Sequence, residues 1–355
     1  MRKIYKNALI ENKLCDFSVV NGKFEKFGKF ADSGENLNGL TVIPGLIDIH
    51  IHGCLGFDVM EGNALEPMSK YLASRGVTAF LPTTMTMPFN DIRLATNVPL
   101  QTSGAKVPGF HLEGPYIAKS RRGAQNIAHI KNPNIAEFNT LKNIRLVTLA
   151  PEIDGAIEFI KECGAVVSIG HSNANYEKTL NAINAGANCL THTFNAMTPL
   201  THREPGIIGA AVEKNIFAQV ICDGVHVHNS VLKMLYKIFG RERMIVISDA
   251  LCATGMADGE YTFGGQNITV KNKTATLKNG VLAGSCADIL DGVKNLISIG
   301  IPKADAIFMA SRTPAMLLNE NKGLLKEGFD ADFAVADDDF NIYKTVIAGN
   351  TVFQK

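Results

Sequence analysis

The sequence lacks net charge, long apolar runs and paired cysteines, and each of these absences excludes a class of protein. Lysine and arginine together number 35 and aspartate and glutamate 34, so the formal net charge is +1. A protein this close to neutral has no overall field with which to hold a polyanion. We therefore expect that nucleic acid is not a partner.

No segment of the sequence has the composition of a membrane span or a signal peptide. The first residues, MRKIYKNALIENK, are interrupted by charges, and no run of about eighteen apolar residues occurs. The cysteines are widely scattered, odd in number and never in a CxxC pair, which argues against a disulfide framework and a thiolate zinc site. They are Cys15, Cys54, Cys163, Cys189, Cys222, Cys252 and Cys286. We expect reduced thiols in a soluble cytoplasmic protein that contacts no membrane.

The composition that is present suits a folded protein larger than one small domain. The chain has 355 residues, of which 46% are hydrophobic and 19% are charged. These values exclude disorder and collagen-like repetition, and they fit one large barrel with an appendage.

The two ends of the chain share a pattern of short antiparallel strands. Near the start, apolar and polar positions alternate around Asn-Gly and Gly turns. Near the end, 332–336 and 343–347 are apolar runs, and 348–350 has the composition of a turn. We expect residues 1–43 and 325–355 to form one small β-sandwich domain.

Between these ends, over residues 44–324, short apolar runs alternate with longer helical patterns. Parallel strands that are buried on both faces give such continuous runs of Val, Ile and Leu. Eight units of this kind predict an α/β fold, a (β/α)8 TIM-like barrel, with a doubly wound open sheet as the alternative. The eight runs are 41–49, 76–82, 107–112, 144–149, 165–169, 188–191, 216–221 and 244–247.

Two segments depart from this alternation. The stretch 257–280 is rich in Gly, Thr, Asn and Lys, and it predicts a hairpin inserted after the eighth strand. The basic run of Lys119, Arg121 and Arg122 is interpreted as part of a solvated lid.

Side chains that can bind a metal fall where five of the apolar runs end. In a barrel, the carboxyl ends of all strands meet at one rim, where barrel enzymes build their active sites. His50 and Glu113, Glu113 and His171, and His192 and Asp249 are each separated by about two βα units along the chain. We therefore expect these side chains to converge on the axis of the barrel. They are His50 and His52 after the first run, Glu113 after the third, His171 after the fifth, His192 after the sixth and Asp249 after the eighth.

His50 and His52 point to the same side of a strand, because side chains alternate with a period of two. Two neutral imidazoles suit a divalent metal such as zinc. Each candidate ligand alone is as well explained as a hydrogen-bonded structural residue, and only their coincidence at one rim favours a metal site. We expect one or two ions per chain, zinc first, with iron, cobalt and manganese as ions that the same ligands accept.

Asp249 follows the last strand in a Ser-Asp-Ala turn. Beside a water whose pKa a metal lowers towards about 7, such a carboxylate can take a proton and later deliver it to a leaving amine. The alternative is a helix N-cap, a position that aspartate favours. We expect Asp249 to be the catalytic group.

Seven motifs occur in order along the chain: PGLIDIHIHG, HLEGPY, GHSNA, THTFNAM, REPG, DGVHV and SDA. Together they resemble the amidohydrolase superfamily and, within it, the N-acetylglucosamine-6-phosphate deacetylase family. The first motif identifies only the superfamily, whereas HLEGPY, THTFNAM and REPG narrow the resemblance to the deacetylases. The resemblance implies hydrolysis of N-acetyl-D-glucosamine 6-phosphate to D-glucosamine 6-phosphate and acetate, in amino-sugar catabolism and cell-wall recycling.

The resemblance also implies which residues hold the metal. Glu113, His171 and His192 match the family's principal metal site. His50 and His52 match the second site of those members that bind two metals, with Glu113 as the bridging ligand. A binuclear centre is therefore compatible with this sequence.

The catalytic and substrate-binding residues of the family have matches as well. Asp249 matches the catalytic acid and base, and Arg203 and His226 match the phosphate ligands. In this family the phosphate ligands can come from the neighbouring subunit, so a homodimer is implied. Many members carry His where this chain has Gln125, which leaves open how that residue orients the acetamide. The positions that match sugar contacts are Ala124, Gln125, Asn195, Ala196, Leu282, Ala283 and Gly284.

Other metal-dependent amidohydrolases of the dihydroorotase or dipeptidase type are the nearest alternative. They commonly use a carboxylated lysine as the bridging ligand, whereas the fourth apolar run here leads into 148–151, which contains no lysine. A non-catalytic barrel that binds sugar phosphates is the alternative from a different class. The sequence leaves open the native metal and whether N-acetylgalactosamine 6-phosphate is accepted.

Overall fold

The computed structural model describes residues 2–355, and the first part of the chain forms short strands. Two of the turns between them have Asn or Gly at positive φ, as at Asn21 with φ 51° and Gly22 with φ 77°. The strands are β1 (Arg2–Ile10), β2 (Lys13–Val20), β3 (Lys23–Phe27), β4 (Glu35–Asn36) and β5 (Thr41–Pro44).

Strands and helices then alternate along the middle of the chain. Each long strand is buried over most of its length, which is why the sequence has continuous apolar runs there. The elements are β6 (Leu46–Ile51), β7 (Gly53–Cys54), β8 (Phe57–Asp58), α1 (Leu65–Ser74), β9 (Val77–Pro82), α2 (Phe89–Thr96), β10 (Phe110–Glu113), α3 (Ile135–Phe138), β11 (Ile144–Leu149), α4 (Ala156–Glu162), β12 (Val166–Ile169), α5 (Tyr176–Ala185), β13 (Cys189–Leu190), α6 (Gly206–Lys214), β14 (Phe217–Ile221), α7 (Asn229–Phe239) and β15 (Met244–Ile247).

The last part of the chain contains a small antiparallel sheet, three helices and three terminal strands. Within residues 2–355, no helix is both long and apolar enough to cross a membrane. The elements are β16 (Gly259–Phe263), β17 (Gln266–Lys271), β18 (Thr274–Leu277), β19 (Leu282–Ser285), α8 (Ile289–Ser298), α9 (Lys303–Met309), α10 (Arg312–Leu317), β20 (Phe333–Ala336), β21 (Ile342–Ile347) and β22 (Asn350–Gln354).

Both ends of the chain meet in one eight-stranded sheet. Its order is β22-β21-β20-β5-β1-β2-β3, and β4 pairs with β1. Aromatic rings fill its buried face, with Tyr5 stacked on Phe17 at 4.9 Å and Phe333 packed edge-on against both. The strands belong to a single hydrogen-bonded sheet, and its division into the two layers of a β-sandwich stays a prediction.

The first predicted apolar run, 41–49, is two strands in the structure. β5 pairs with β20 in the terminal sheet, whereas β6 pairs with β9 in the middle of the chain. Gly45 separates them, and a Cβ at this position would lie 2.2 Å from Thr78 Oγ1. Because both strands are buried, a change of pairing partner leaves the run of apolar residues unbroken.

The middle strands form a TIM-barrel-like arrangement. Strands β10 to β15 make a parallel six-stranded sheet in chain order, and β6 and β9 make a parallel pair. Isolated parallel bridges, Thr83 with His111 and Ile51 with Ala250, link this pair to the two ends of the larger sheet. The carboxyl ends of these strands therefore point to one side of the molecule.

The interior of this arrangement is packed with aliphatic side chains. Ile47 and Ile49 from β6 and Ile245 and Ile247 from β15 belong to one buried cluster. Leu317 belongs to the same cluster, so α10 closes the amino-terminal end of the strands. The carboxyl end is left for polar side chains.

The predicted hairpin at 257–280 is larger than the sequence indicates. Strands β16 to β19 form a four-stranded antiparallel sheet that extends to Ser285. Its buried residue Phe263 lies with its ring 5.3 Å from the ring of His52. The insertion therefore covers one side of the predicted metal site.

Candidate metal centre

The side chains predicted to bind a metal all lie at the carboxyl ends of parallel strands. His50 is in β6 and Glu113 is the last residue of β10. The remaining three, His52, His171 and His192, follow β6, β12 and β13 by one or two residues. All of these side chains are buried, with residue exposures between 0% and 5%.

His50 and His52 reach the interior because β6 is irregular. Ile47 and Ile49 belong to the buried cluster that fills the interior between the parallel strands. Ile51 belongs to a different buried cluster, so its side chain points to the other face of β6. The register of β6 against β9 shifts between Asp48 and Ile51. A shift of one residue moves every following side chain to the other face of a strand. The irregularity therefore turns both imidazoles inward.

Three site residues have a backbone conformation that residues other than glycine rarely adopt. The φ angles are 47° at His171, 28° at His192 and 50° at Asp249. Such conformations cost on the order of 1–3 kcal/mol and persist only where the surrounding structure holds them. Each of these residues lies two positions after the end of a parallel strand, so the turn directs its side chain over the end of the strands.

Glu113 forms one cluster of possible ligands with His171 and His192. Glu113 Oε1 lies 3.3 Å from His171 Nε2 and 3.1 Å from His192 Nε2, and the two Nε2 atoms are 3.1 Å apart. Ligand atoms at 2.0–2.1 Å from a tetrahedral zinc ion are separated by about 3.3 Å. The separations therefore fit a divalent ion shared by the three side chains.

A second cluster contains Glu113, His50 and His52. The two Nε2 atoms are 3.3 Å apart, and each lies 3.3 Å from one oxygen of Glu113. Asp249 Oδ1 lies 3.3 Å from His50 Nε2 and 3.2 Å from His52 Nε2. Glu113 thus presents one carboxylate oxygen to His52 and the other to the remaining histidines, as a bridging ligand would.

The outer ring nitrogens show which tautomers the histidines adopt. His52 Nδ1 lies 3.1 Å from the carbonyl oxygen of Thr83, and His171 Nδ1 lies 2.9 Å from that of Arg121. A carbonyl oxygen only accepts, so both Nδ1 atoms carry a proton and both Nε2 atoms face the cluster. Metal-binding histidines are held in this way.

The charges of the cluster favour a cation. Burial opposes ionisation of Glu113, but His50 and His171 outweigh it and hold the pKa of Glu113 well below its usual value. Burial also opposes ionisation of Asp249, and His50 and His52 again hold that pKa below its usual value. Despite burial, hydrogen bonds to Asp249 and Glu113 raise the pKa of His52 to about 10. The space between the two carboxylates therefore stabilises positive charge.

The family of the chain follows from comparison with known proteins. The model of the amidohydrolase family matches residues 41–352. The chain belongs to this family. A curated N-acetylglucosamine-6-phosphate deacetylase from Lysinibacillus sphaericus is 36% identical over 330 residues, which cover 88% of this chain and 85% of the relative.

Two further comparisons bear on what amidohydrolases of this kind act on. An N-acetylgalactosamine-6-phosphate deacetylase from Escherichia coli O157:H7 is 36% identical over 325 residues, covering 86% of each chain. An N-acetyl-D-glucosamine-6-phosphate deacetylase from Mycobacterium smegmatis has been solved in complex with N-acetyl-D-glucosamine-6-phosphate. It is 29% identical with a TM-score of 0.88, and the match covers 100% of this chain and 99% of that one.

In this amidohydrolase, a cavity of about 370 Å³ opens above the two clusters of possible ligands. Most of the residues predicted from the sequence line it. Of the remaining three, His50 is fully buried beneath the cavity, Ala283 is buried within β19, and Arg203 is exposed and lies outside the lining. The lining residues among those predicted are His52, Glu113, Ala124, Gln125, His171, His192, Asn195, Ala196, His226, Asp249, Leu282 and Gly284.

A larger cavity, of about 670 Å³, lies between the terminal sheet and α9. It is lined by residues of β5 and of α9, including Lys303 and Phe308, together with Arg241. None of the predicted site residues lines it. The smaller cavity is therefore the candidate active site of this amidohydrolase.

His226 has one ring nitrogen paired and the other free to contact a ligand. Its Nδ1 lies 2.7 Å from Asp223 Oδ2, and its buried Nε2 has no partner within residues 2–355. Burial lowers the pKa of His226, but the hydrogen bond and charge of Asp223 outweigh it and raise that pKa above its usual value. A protonated imidazole here presents an N–H donor to the cavity.

The structure also identifies site residues that the sequence interpretation missed. Gln219 Oε1 lies 3.1 Å from His50 Nδ1, and Arg121, interpreted as part of a solvated lid, lines the cavity. A glutamine within the apolar run 216–221 was a signal of a buried polar contact. Asp223 belonged to the quoted motif DGVHV, but its spacing to His226 did not by itself indicate a hydrogen bond.

Proposed function

We propose that this amidohydrolase removes acetate from N-acetyl-D-glucosamine 6-phosphate and yields D-glucosamine 6-phosphate, in amino-sugar catabolism and cell-wall recycling. The observation that carries the proposal is the carboxylate of Asp249 within 3.3 Å of His50 Nε2 and 3.2 Å of His52 Nε2, at the floor of a cavity. The deacetylase relatives and the neighbour solved with the sugar phosphate support this substrate.

The donor set fits one or two divalent ions. Glu113, His171 and His192 would hold one ion, and His50 and His52, with Glu113 shared, would hold the other. A bound ion lowers the pKa of water and polarises the amide carbonyl. We propose zinc as the native metal, because imidazole nitrogens and carboxylate oxygens at these separations suit it, and iron, cobalt and manganese accept the same ligands.

Asp249 is the group that moves the proton. Its pKa is held low, so at neutral pH the carboxylate is ionised and can accept a proton from the attacking water. Water adds to the acetamide carbon, the bond from that carbon to nitrogen breaks, and Asp249 delivers the proton to the leaving amine. Acetate and the free amino sugar are the products.

The walls of the cavity would hold the sugar. Ala124 and Gln125 lie in the loop after β10, Asn195 and Ala196 follow β13, and Leu282 and Gly284 belong to β19. Ala196 has φ 51°, so the turn after His192 is sharp and brings its backbone towards the cavity. We assign these residues other than Gln125, with Ala283 behind them, to sugar contacts.

His226 and Arg203 would bind the phosphate. His226 lines the cavity of its own chain, and its buried Nε2 has no partner within residues 2–355. Arg203 is exposed and makes no hydrogen bond or ion pair within residues 2–355, so its planar donors are available to a neighbouring molecule. We propose that the protein is a homodimer in which Arg203 reaches the partner's site.

An assay of acetate release tests the function. Purified protein with added zinc should release acetate from N-acetyl-D-glucosamine 6-phosphate, and from the unphosphorylated sugar much less efficiently. The galactosamine-specific relative makes N-acetylgalactosamine 6-phosphate a second candidate substrate. If the kcat/KM for the galactosamine compound is the higher of the two, the substrate assignment changes to that sugar.

The phosphate assignment has its own test. Arg203→Ala should raise KM for the phosphorylated sugar and leave KM for the unphosphorylated sugar almost unchanged. An equal rise for both sugars would remove Arg203 from phosphate binding. Measurement of molecular mass in solution decides whether the protein is a dimer.

We further infer that the eight parallel strands close into one barrel over residues 44–324. The isolated bridges at both ends of the pair β6 and β9 support closure. The separate aromatic cluster of the terminal sheet supports a small second domain, formed by 1–43 and 325–355. A phosphorylated substrate and seven free thiols fit a cytoplasmic location, which stays a prediction.

A further inference from the structure

Gln125 is held at both ends of its side chain. It lies in the loop after β10, it is 4% exposed and it lines the cavity. Its Oε1 accepts a hydrogen bond from the backbone N–H of Thr86 at 2.7 Å. Its Nε2 donates to Glu113 Oε2 at 2.6 Å and lies 3.7 Å from the sulfur of Met85. Both polar atoms of the amide are therefore engaged by the protein.

The orientation of this amide is determined by its partners. A backbone N–H can only donate, so the atom that faces Thr86 must be the amide oxygen. The amide nitrogen then faces Glu113 and donates to its Oε2 at 2.6 Å.

The contact falls on one particular oxygen of Glu113. Oε1 faces His50, His171 and His192, whereas Oε2 faces His52 at 3.3 Å. Gln125 donates to Oε2. A carboxylate oxygen has two lone pairs, so one can accept from Gln125 while the other remains for a cation.

We propose that Gln125 is a positioning residue, which orients the Glu113 carboxylate for the ion held with His50 and His52. It does not hold the acetamide of the substrate. The inference depends on the proposed function only in requiring that the clusters bind divalent ions. The distances on which it is based are those of the protein alone.

This role separates Gln125 from its neighbours in the cavity. Here both hydrogens of the amide nitrogen face protein atoms, Glu113 Oε2 and Met85 Sδ, and the oxygen faces Thr86. A donor to the acetamide would have to break a short contact with a buried carboxylate.

Ion binding without substrate tests the proposal. Gln125→Met keeps the length of the side chain and removes both hydrogen bonds. Partners of metal ligands typically contribute about 10–100-fold to metal affinity. In equilibrium dialysis against zinc, with elemental analysis, the wild type should bind two ions, and the variant should bind one of them about 10–100-fold more weakly.

The matched control is Gln266→Met. Gln266 Nε2 donates to the carbonyl oxygen of Ala124, so it supports the same loop without contacting Glu113. Its zinc affinities should equal those of the wild type. If Gln266→Met weakens the same ion equally, loosening of the loop explains the result and the proposal is wrong. Gln125→Asn, which keeps an amide but shortens its reach, should weaken the same ion and serves if Gln125→Met does not fold.

Kinetics distinguish the two possible roles of Gln125. If it positions Glu113, excess zinc should restore kcat in Gln125→Met and leave KM within about twofold of the wild type. Unchanged zinc affinity with a raised KM would show that Gln125 binds the acetamide, and binding of a single ion by the wild type would also overturn the proposal. If the wild-type protein binds two ions but releases no acetate, the proposed function is wrong. The zinc affinities from dialysis then still decide whether Gln125 positions Glu113.

Discussion

The two sides of the metal centre share Glu113 but are built from different kinds of backbone. His50 and His52 lie in or directly after β6, and neither has a positive φ. Their Nδ1 atoms are 3.1 Å from Gln219 Oε1 and 3.1 Å from the carbonyl oxygen of Thr83. This side is held by hydrogen bonds to β14 and to the residue that follows β9.

The other side depends on turns. His171 and His192 both have positive φ, and only His171 has a partner for Nδ1, the carbonyl oxygen of Arg121. The Nδ1 of His192 is buried without a partner within residues 2–355. His50 and His52 are therefore positioned by hydrogen bonds to other strands, whereas His171 and His192 are positioned by turns with positive φ. The two sides should respond differently to substitution.

The largest effect is expected at Asp249, which contacts the His50 and His52 side and faces the cavity. Asp249→Asn keeps the shape of the side chain but cannot accept the proton. Loss of such a group costs about 10²- to 10⁴-fold in kcat. Acetate release should fall by this factor while elemental analysis shows unchanged metal content. Turnover near that of the wild type would remove Asp249 from the mechanism.

Removal of one ligand from each side tests whether the sides are independent. His52→Ala and His192→Ala should each weaken one ion by more than about 100-fold, beyond the effect of an outer partner, and leave the other ion in place. Zinc dialysis of the two variants in parallel gives both affinities. If either variant loses both ions together, the centre is one cooperative unit and the comparison between its sides fails.

A smaller effect is expected at Gln219, which supports only the strand side. Gln219→Leu leaves His50 Nδ1 without an acceptor and should weaken one ion by about 10–100-fold. Gln219→Glu keeps an acceptor, and the amide Nε2 that it replaces has no partner within residues 2–355, so it should retain the ion. Equal loss in both variants would contradict a specific role for the acceptor.

The smallest effect is expected at Asp223, which contacts His226 and belongs to neither side of the metal centre. Asp223 and, at longer range, Asp249 raise the pKa of His226, so in the wild type His226 stays protonated to a higher pH. Asp223→Asn lowers that pKa, and KM for the phosphorylated sugar should begin to rise at a lower pH, by about tenfold or less.

Two comparisons control the Asp223 experiment. KM for the unphosphorylated sugar should show no such shift, and zinc affinity should match that of the wild type. The ionisation of the substrate's own phosphate affects KM equally in wild type and variant, because both are measured with the same compound at each pH. It therefore does not contribute to the difference between their pH profiles. An unchanged pH profile would remove His226 from phosphate binding.

The candidate ligands could be predicted from the sequence, but their arrangement could not. Glu113, His171 and His192 were identifiable because each follows a run that is buried on both faces, and such runs stand out in a sequence. Gln125 was assigned only by likeness to a family position. Its contact with Glu113 is a short bond between side chains twelve residues apart, and nothing in the sequence pattern between them indicates it.

The boundaries and pairing partners of some strands were not predictable from the sequence for the same reason. The run 41–49 contains two strands because β5 and β6 are both buried and differ only in their partners. The hairpin at 257–280 extends to a four-stranded sheet, since exposed strands rich in Gly and Asn give a weak apolar pattern. Pairing between strands depends on contacts that are distant in the chain.

The sequence by itself determined that alternating buried strands would bring imidazoles and carboxylates to one rim, since burial and period are properties of the local chain. Only the tertiary structure decided which way His50 and His52 point, because that depends on a register shift of β6 against β9. It also decided which oxygen of Glu113 faces which histidine. The distances of about 3 Å between candidate ligands depend on how many strands pack together. No single segment of the sequence determines them.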